Sequence, residues 1–250
     1  MKKISLLVAC SFLVFASFVP EASAISFGSD GGSELQSVFD NITVGADSSI
    51  DVTTDALADN IDSYWSVTAN GGSVATMIIE LAGFASGNSF GIYSGDQYVT
   101  LFKGSNIAGD QALLSIRYDG SVYVDNKDTG VDFAGNLFGY FLDSSSYENG
   151  GLFHSDTEDN ADGVDHLAVY QGLNTDTVQL PGFAPGIWTD NEYILAFEDL
   201  NGGGDLDYTD FVVMVESVTP APVPEPGTML LLGTGLIGLA GVGRKKLFNK

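Results

Sequence analysis

A run of acidic residues around three glycines is the part of the sequence best suited to chemistry; it reads FEDLNGGGDLDYTDF from Phe197 to Phe211. Closely spaced carboxylates repel one another unless a positive group lies among them, and Ca²⁺ takes about 6–8 oxygen ligands. Glycine adopts backbone conformations that are closed to other residues, so the loop can turn tightly. The stretch therefore predicts a calcium-binding loop. Its candidate ligands are Glu198, Asp199, Asn201, Asp205, Asp207 and Asp210.

The spacing of these residues follows an EF-hand loop only in part. Counted from Asp199, one ligand position is occupied by Gly203, and the last carries Asp210 where a longer glutamate is usual. Residues 193–197 and 211–215 also have the composition of strands rather than helices. The sequence therefore predicts a strand–loop–strand calcium site and not an EF-hand. The alternative is an acidic hairpin loop that is solvated and binds nothing.

A second acidic segment, residues 154–166, also lies between two predicted strands. If those strands pair near the first loop, further oxygens can complete the shell of the same cation. The candidate additional ligands are Asp156, Asn160 and Asp162.

The segment also contains His154 and His166, the two histidines of the chain. A histidine beside carboxylates can ligate zinc or act as a general base. Isolated histidines without a GxSxG or HExxH motif do not predict a hydrolytic site. We therefore expect a protein that is not an enzyme, with a secreted hydrolase as the weakest alternative.

Short apolar runs separated by turn residues occupy the chain from Ser73 onward, and they predict these strands: Val74–Phe84, Ser89–Tyr93, Tyr98–Phe102, Ala112–Tyr118, Val122–Asp125, Leu137–Asp143, His166–Tyr170, Glu192–Phe197 and Phe211–Glu216. Asp119-Gly120 predicts a two-residue hairpin turn. The pattern favours an all-β fold, an antiparallel β-sandwich or jelly-roll-like domain over residues 73–219. Residues 25–72 are either an N-terminal arm or the first part of this domain, with a short helix or an extended segment at residues 35–44.

The N-terminus has the three parts of a secretory signal peptide. A basic start is followed by an apolar run and by small residues that end at Ala24. We therefore expect residues 1–24 to direct export and to be removed after Ala24. The single cysteine, Cys10, lies in this segment, so we expect no disulfide in the exported domain.

Charge excludes one class of partner. The chain has 33 acidic and 9 basic residues, a formal net charge of −24. Between the two ends the basic residues are Lys103, Arg117 and Lys127. Such a charge repels nucleic acid and attracts divalent cations, so we exclude nucleic-acid binding.

Residues 220–250 contain Pro224, Glu225 and Pro226, then an apolar run and a basic cluster. Residues 227–243 span about 25 Å as a helix, the short end of a transmembrane segment. This order resembles the PEP-CTERM sorting signal of Gram-negative bacteria. The resemblance implies recognition of Pro224, Glu225 and Pro226 by an exosortase, a membrane transpeptidase. It also implies at least transient anchoring by a single transmembrane helix, followed by location at the cell surface or in the extracellular matrix, where carriers accompany exopolysaccharide systems.

Residues 138–215 resemble a domain family of unknown function that recurs in secreted bacterial proteins. The specific part is the block FED-x-x-GGGD-x-D-x-x-D, which ends at Asp210. This resemblance implies an extracytoplasmic, calcium-binding β-domain without established enzymatic activity. We therefore expect a non-enzymatic surface or biofilm-matrix protein stabilised by Ca²⁺. The alternative is a calcium-dependent carbohydrate-binding module in which Trp65 and Trp188 stack on sugar rings.

Overall fold

The computed structural model describes residues 25–69, 72–79 and 85–221. The predicted signal peptide with Ala24, the motif Pro224, Glu225 and Pro226, and the predicted C-terminal helix lie outside the described residues. Within the described ranges, no helix is both long and apolar enough to cross a bilayer.

Short strands make up most of the described chain. The helices are α1 (Ser33–Ile42) and α2 (Asp59–Asp62), with 3-10 turns at Ala85–Gly87 and Thr157–Asp159. The strands are β1 (Tyr64–Val67), β2 (Ser73–Ile79), β3 (Ser89–Ser94), β4 (Gln97–Lys103), β5 (Gln111–Ile116), β6 (Ser121–Val124), β7 (Lys127–Asp132), β8 (Gly139–Asp143), β9 (Leu152–His154), β10 (Leu167–Gln171), β11 (Thr177–Val178), β12 (Gly186–Ile187), β13 (Glu192–Phe197), β14 (Phe211–Glu216) and β15 (Val218–Ala221).

Two antiparallel sheets form the body of the domain. The larger has seven strands in the order β10-β13-β14-β2-β5-β6-β7, and the smaller has four in the order β4-β3-β8-β9. The pairs β1–β15 and β11–β12 form two further small sheets. The predicted all-β antiparallel sandwich is therefore confirmed. The acidic loop joins β13 to β14, which are neighbours near one edge of the larger sheet.

Aromatic side chains fill the space between the sheets. Phe90 of β3 is fully buried, and its ring centroid lies 5.0 Å from that of Phe211 and 5.6 Å from that of Tyr140. Buried rings of this size remove the largest apolar areas from water, so they contribute most to the stability of the sandwich. Phe211 is also the first residue of β14, so this core fixes one end of the acidic loop.

Both tryptophans belong to the core. Trp65 is 0% exposed and Trp188 is 1% exposed. The indole N–H of Trp65 donates to the carbonyl of Asp62 at 2.6 Å, and that of Trp188 donates to the carbonyl of Glu192 at 3.0 Å. Neither ring presents a face to solvent, so neither can stack on a sugar as the carbohydrate-binding alternative requires.

The larger sheet is covered on both faces at β13 and β14, which explains their unbroken apolar runs. Leu195 faces the smaller sheet, whereas Ile194 and Ala196 face a second core on the outer side. Helix α1 closes that second core, so the helical alternative for residues 35–44 is the correct one. Its buried residues recur at helical spacing: Leu35, Val38, Phe39 and Ile42.

The hairpin between β5 and β6 is present, but its turn is longer than predicted. The N–H of Arg117 donates to the carbonyl of Ser121 at 3.0 Å, and the N–H of Gly120 donates to the carbonyl of Arg117 at 2.9 Å. Gly120 has φ +93°, while Asp119 is not among the residues with positive φ. The loop is therefore a three-residue turn that ends in a left-handed glycine, which also suits the twist of the paired strands.

Candidate metal centre

The acidic loop begins where the β13–β14 ladder ends, after the pair Phe197 and Phe211. Its backbone is tightly coiled because many of its residues adopt left-handed φ values: Gly202, Gly203, Gly204, Leu206 and Tyr208. Glycine takes this conformation freely, but each non-glycine residue in it costs about 1 kcal/mol. Because the backbone coils, Asp205 and Asp207 lie close to Glu198, the residue that follows β13.

Glu198, Asp205 and Asp207 form a group whose carboxylate oxygens lie within 4.8 Å of one another. Two oxygens that bind the same Ca²⁺, each at 2.3–2.6 Å, are at most about 5 Å apart. The spacing is therefore that of oxygens able to share one cation. Glu198 is buried, Asp207 is half-buried and Asp205 is exposed, so such an ion would be reached from the solvent side of the loop.

Glu198 is the innermost of the three and is 0% exposed. Its Oε1 accepts a hydrogen bond of 2.7 Å from the N–H of Tyr208. Its Oε2 is buried and has no hydrogen-bond partner among the described residues. A β-carbon on Gly204 would lie 2.9 Å from this oxygen. The glycine therefore leaves open the space beside an oxygen that lacks a partner.

The electrostatics of the loop disfavour three ionised carboxylates without a bound cation. Burial raises the pKa of Glu198, and the charges of Asp210, Asp207 and Asp205 raise it further. Within the described ranges no lysine or arginine pairs with a carboxylate, and the one contact between a histidine and a carboxylate joins His166 to Asp162 at 2.9 Å, so no basic side chain neutralises this group. A buried carboxylate without a compensating charge costs several kcal/mol. A cation bound between the three side chains would offset both the burial and the repulsion.

The remaining predicted ligands of this loop, Asp199, Asn201 and Asp210, have hydrogen-bond partners outside the group of three carboxylates. Asp199 is 1% exposed, and its Oδ2 accepts a hydrogen bond of 3.0 Å from the side-chain amide of Asn88. The Oδ2 of Asp210 accepts the N–H of Asp199 at 3.0 Å. Asn201 donates through its amide to the carbonyl of Gly150 at 2.9 Å. Asp199 and Asn201 thus hold the loop against neighbouring segments, whereas Asp210 closes the loop internally. Neither Asp199 nor Asp210 belongs to the group of converging carboxylates.

The second acidic segment reaches the first through one of its three predicted ligands. The Oδ2 of Asp162 accepts the N–H of Gly202 at 2.7 Å and also contacts Nε2 of His166 at 2.9 Å. The carboxylate thus ties the two loops together directly. The predicted proximity of the segments is present, but Asp162 acts through hydrogen bonds.

Asn160 and Asp156 make hydrogen bonds within the second loop. The Oδ1 of Asn160 accepts the N–H of His154 at 2.7 Å, and its amide nitrogen donates to the carbonyl of Val164 at 2.9 Å. The Oδ1 of Asp156 accepts the N–H of Glu158 at 3.1 Å at the start of a 3-10 turn. Both side chains therefore shape the second loop.

A separate set of acids, the buried Asp62 and the half-buried Asp59 and Asp165, lies where α2 meets the second loop. Asp62 is 2% exposed, and its Oδ2 has no partner in the described part of the chain. Burial raises its pKa, with further contributions from Asp165 and Asp59. Burial also raises the pKa of Asp165 to about 7. The oxygens of these acids do not form a group as compact as that of Glu198.

Sequence reasoning did not find three polar residues that the fold brings to the acidic loop. Asn88 precedes β3 and binds Asp199. Asp30 and Glu34 come from the segment around the start of α1, where the Oδ2 of Asp30 accepts the N–H of Glu34 at 3.2 Å, and the charge of Asp207 raises the pKa of Glu34. They are far from the loop along the chain, and no motif spacing in the sequence connects them to it.

Comparison with known families supports the two resemblances. Residues 133–218 match the family described as Domain of unknown function (DUF4114). Residues 222–245 match the PEP-CTERM protein-sorting motif. No curated protein and no solved structure matches the chain. The sorting motif implies processing by an exosortase and an exported, membrane-associated precursor in a Gram-negative bacterium. The chain thus carries a segment that matches DUF4114 and includes both acidic loops, followed by a C-terminal PEP-CTERM motif, and this motif signals a secreted, surface-sorted protein.

Proposed function

We propose that this is a non-enzymatic protein of the cell surface or extracellular matrix whose β-domain is stabilised by Ca²⁺. The observation that carries the proposal is the buried carboxylate of Glu198, whose Oε2 has no partner among the described residues while Asp205 and Asp207 approach it. Anionic oxygen donors suit a hard cation, whereas zinc sites usually include histidine or cysteine. Mg²⁺ demands near-ideal octahedral geometry and keeps several of its waters, whereas Ca²⁺ accepts flexible sites of carboxylate oxygens.

The ion would act on stability because its ligands close the β13–β14 hairpin. Glu198 directly follows β13, and Asp207 lies shortly before β14. Asp162 connects the same loop to the second acidic segment. This exported domain contains no cysteine. A cation that binds several segments can supply the stabilisation that disulfides often provide in secreted proteins.

The surroundings of His166 support the non-enzymatic part of the proposal. His166 is 0% exposed, its Nε2 faces Asp162, and its ring stacks on Phe153 with centroids 3.8 Å apart. A general base must reach the substrate within hydrogen-bonding distance. A histidine enclosed in this way serves the packing of the two loops.

Calcium addition is the direct test of this proposal. In thermal melts of the purified full-length protein, saturating Ca²⁺ should raise the melting temperature and EDTA should reverse the rise. At a free concentration of about 100 times Kd, the stabilisation is about 2.7 kcal/mol, which corresponds to roughly 5–10 °C for a domain of this size. Equal concentrations of Mg²⁺ should give a smaller shift. An unchanged melting temperature with Ca²⁺ would refute the proposal.

A surface groove supports a second candidate function, carbohydrate binding. The groove has a volume of about 490 Å³ and is lined in part by Arg117, Tyr118, Tyr123 and Asn126. The Arg117 guanidinium lies 3.6 Å from the Tyr123 ring centroid, and Tyr118 is fully exposed. Exposed tyrosine rings and amide groups are the contacts that sugars use. In this second candidate function, the glycan would bind in this groove rather than at the buried tryptophans.

A glycan-binding measurement with Tyr118→Ala separates the two candidates. If the groove binds sugars, the wild type should retain specific glycans on an array and the variant should lose most of that binding. Its melting temperature should stay unchanged, because an exposed ring contributes little to stability. A full-length protein that binds no glycan, or a variant that binds as well as the wild type, would exclude this use of the groove.

A further inference from the structure

The groove beside the β5–β6 and β6–β7 turns differs in charge from the rest of the domain. The chain has 33 acidic residues, yet the described residues that line the groove include no aspartate or glutamate. Arg117, one of the three basic residues between the two ends of the chain, does line it. The volume of about 490 Å³ lies within the range of roughly 300–1,000 Å³ that small-molecule sites occupy. An anionic group in this groove therefore meets a guanidinium and no lining carboxylate.

The guanidinium of Arg117 is positioned but not neutralised. It lies 3.6 Å from the ring centroid of Tyr123, and a planar guanidinium stacks well on an aromatic ring. Within the described ranges its N–H groups have no hydrogen-bond partner, and no carboxylate forms an ion pair with it. Its donors are therefore held at one place in the groove and are available to a ligand.

Two carboxylates near this arginine are engaged by other groups. The Oδ1 of Asp119 accepts the hydroxyl of Ser121 at 2.6 Å. Asp128 lies opposite Tyr123 in the β6–β7 ladder, and its Oδ2 accepts the Tyr123 hydroxyl at 3.3 Å. Each carboxylate is thus held within its own hairpin, and neither lines the groove.

The turns beside the groove present two further groups at defined positions. At the β6–β7 turn, Asp125 and Asn126 have φ values of 51° and 62°, as in a two-residue type I′ hairpin. The Oδ1 of Asp125 accepts the N–H of Leu113 in β5 at 3.0 Å, which anchors the turn. The side-chain amide of Asn126 lines the groove and has no partner in the described part of the chain. On the β5–β6 turn, the ring of Tyr118 is fully exposed.

We propose that the groove binds a uronic acid unit of a polysaccharide, with Arg117 holding the carboxylate of the sugar. A guanidinium binds a carboxylate through two parallel hydrogen bonds, which an ammonium or an amide does not supply. The Tyr118 ring offers an apolar face to the sugar ring, and the Asn126 amide offers a donor and an acceptor to its hydroxyl groups. This inference rests on the second candidate function, carbohydrate binding, and adds the charge of the ligand to it.

An acidic sugar has a second route to a protein with this charge. A Ca²⁺ ion can bridge the carboxylate of the sugar to carboxylates of the protein, because calcium accepts oxygen ligands from both. Such bridging requires the cation and does not involve Arg117. Measurements in excess EDTA therefore isolate the contribution of the groove.

Isothermal titration calorimetry on the full-length protein, in excess EDTA and below its melting transition, tests the inference. The probes are oligomers of galacturonic, glucuronic and mannuronic acid, each compared with its methyl ester, which lacks the charge. The wild type should bind at least one acid form about tenfold or more tightly than its ester. Arg117→Gln should lose most of this preference, because the charge-assisted pair is gone. Arg117→Lys should recover only part of it, because an ammonium lacks the planar fork.

Lys103→Gln is the matched control, since it removes an exposed positive charge at the end of β4, outside the groove. It should keep the full preference, and an equal loss in this variant would overturn the inference by assigning the effect to net charge. A wild type that prefers no acid form, or a preference that survives Arg117→Gln, would also overturn it. If the esters bind equally well and Tyr118→Ala abolishes that binding, the carbohydrate site stands and only the charge of its ligand is wrong. A wild type that binds no oligomer and no glycan on an array would overturn both.

Discussion

Glu198→Gln is expected to abolish the calcium-dependent rise in melting temperature and to raise the melting temperature of the calcium-free protein at about pH 8. The two effects have opposite signs because the carboxylate is unfavourable alone and favourable with a cation. Few substitutions in a binding loop stabilise the calcium-free protein and at the same time abolish its stabilisation by Ca²⁺. This pattern therefore distinguishes a ligand from a residue that merely supports the fold.

The physical reason lies in the burial of this group. Glu198 is fully buried, and within the described residues no basic side chain pairs with it. Without a cation, the folded state must either bury the charge or hold a proton, and both cost stability at that pH. Glutamine keeps the oxygen that accepts the N–H of Tyr208. Its NH₂ group would face Asp205 and Asp207 and could donate to them.

Differential scanning fluorimetry in EDTA and in excess Ca²⁺ measures both effects. The wild type should shift by roughly 5–10 °C between the two conditions, and the variant by less than about a quarter of that. Asp96→Asn removes an exposed carboxylate from the β3–β4 turn and should behave as the wild type. If Glu198→Gln keeps the full calcium shift, Glu198 is not a ligand.

Stability in EDTA is expected to fall as the pH rises from about 5 to about 7, and Asp165→Asn should remove part of this slope. Burial raises the pKa of Asp165 to about 7, compared with about 3.9 for an unperturbed aspartate. Between these values the folded state holds a proton that the unfolded state has released. Stability is therefore greatest below the lower value and is lost as the pH rises to the upper one.

The size of the effect follows from the width of this interval. Each pH unit in which one proton separates the two states changes the free energy of unfolding by about 1.4 kcal/mol, so Asp165 accounts for up to about 3 kcal/mol between pH 5 and pH 7. Asp62 and Glu198 add slopes of the same sign. Asparagine resembles the protonated aspartate, so it should keep the hydrogen bond in which Oδ1 accepts the N–H of Leu167.

Urea unfolding of both proteins at several pH values in EDTA provides the comparison. The variant should have a shallower slope than the wild type and should be the more stable of the two at about pH 8. Asp128→Asn, an exposed position on β7, should retain the wild-type slope. Parallel slopes for wild type and Asp165→Asn would mean that Asp165 is ionised in the folded protein at pH 5.

The strands were the most predictable part of the fold because their signal is local. Residues 192–197 and 211–216 are apolar runs bounded by turn and acidic residues, and the structure places β13 and β14 there. The short strand β1 carried little such signal. It forms by pairing with β15, whose residues lie far along the chain, in the register Trp65 with Pro220. Pairing between distant segments leaves no period in either of them.

The candidate site, like the fold, was predictable from the sequence only in part. Acidic residues interrupted by glycines identified the loop, and the resemblance to a secreted domain family added weight to it. Neither could decide which carboxylates converge. Glu198 and Asp199 are adjacent in the chain, but successive side chains at a strand end point to opposite faces. One therefore meets Asp205 and Asp207, and the other meets Asn88.

The sequence by itself indicated the sorting motif, the all-β class and the acidic loop as the place of interest, because each is written in contiguous residues. The signal peptide stays a prediction. Tertiary structure alone decided that Asp162 ties the two loops by hydrogen bonds and that Gly28 of the N-terminal arm binds the backbone of the acidic loop at Leu206. It also placed both tryptophans in the core. Ligand convergence and burial depend on how distant segments pack, and that packing is a property of the whole chain rather than of any motif.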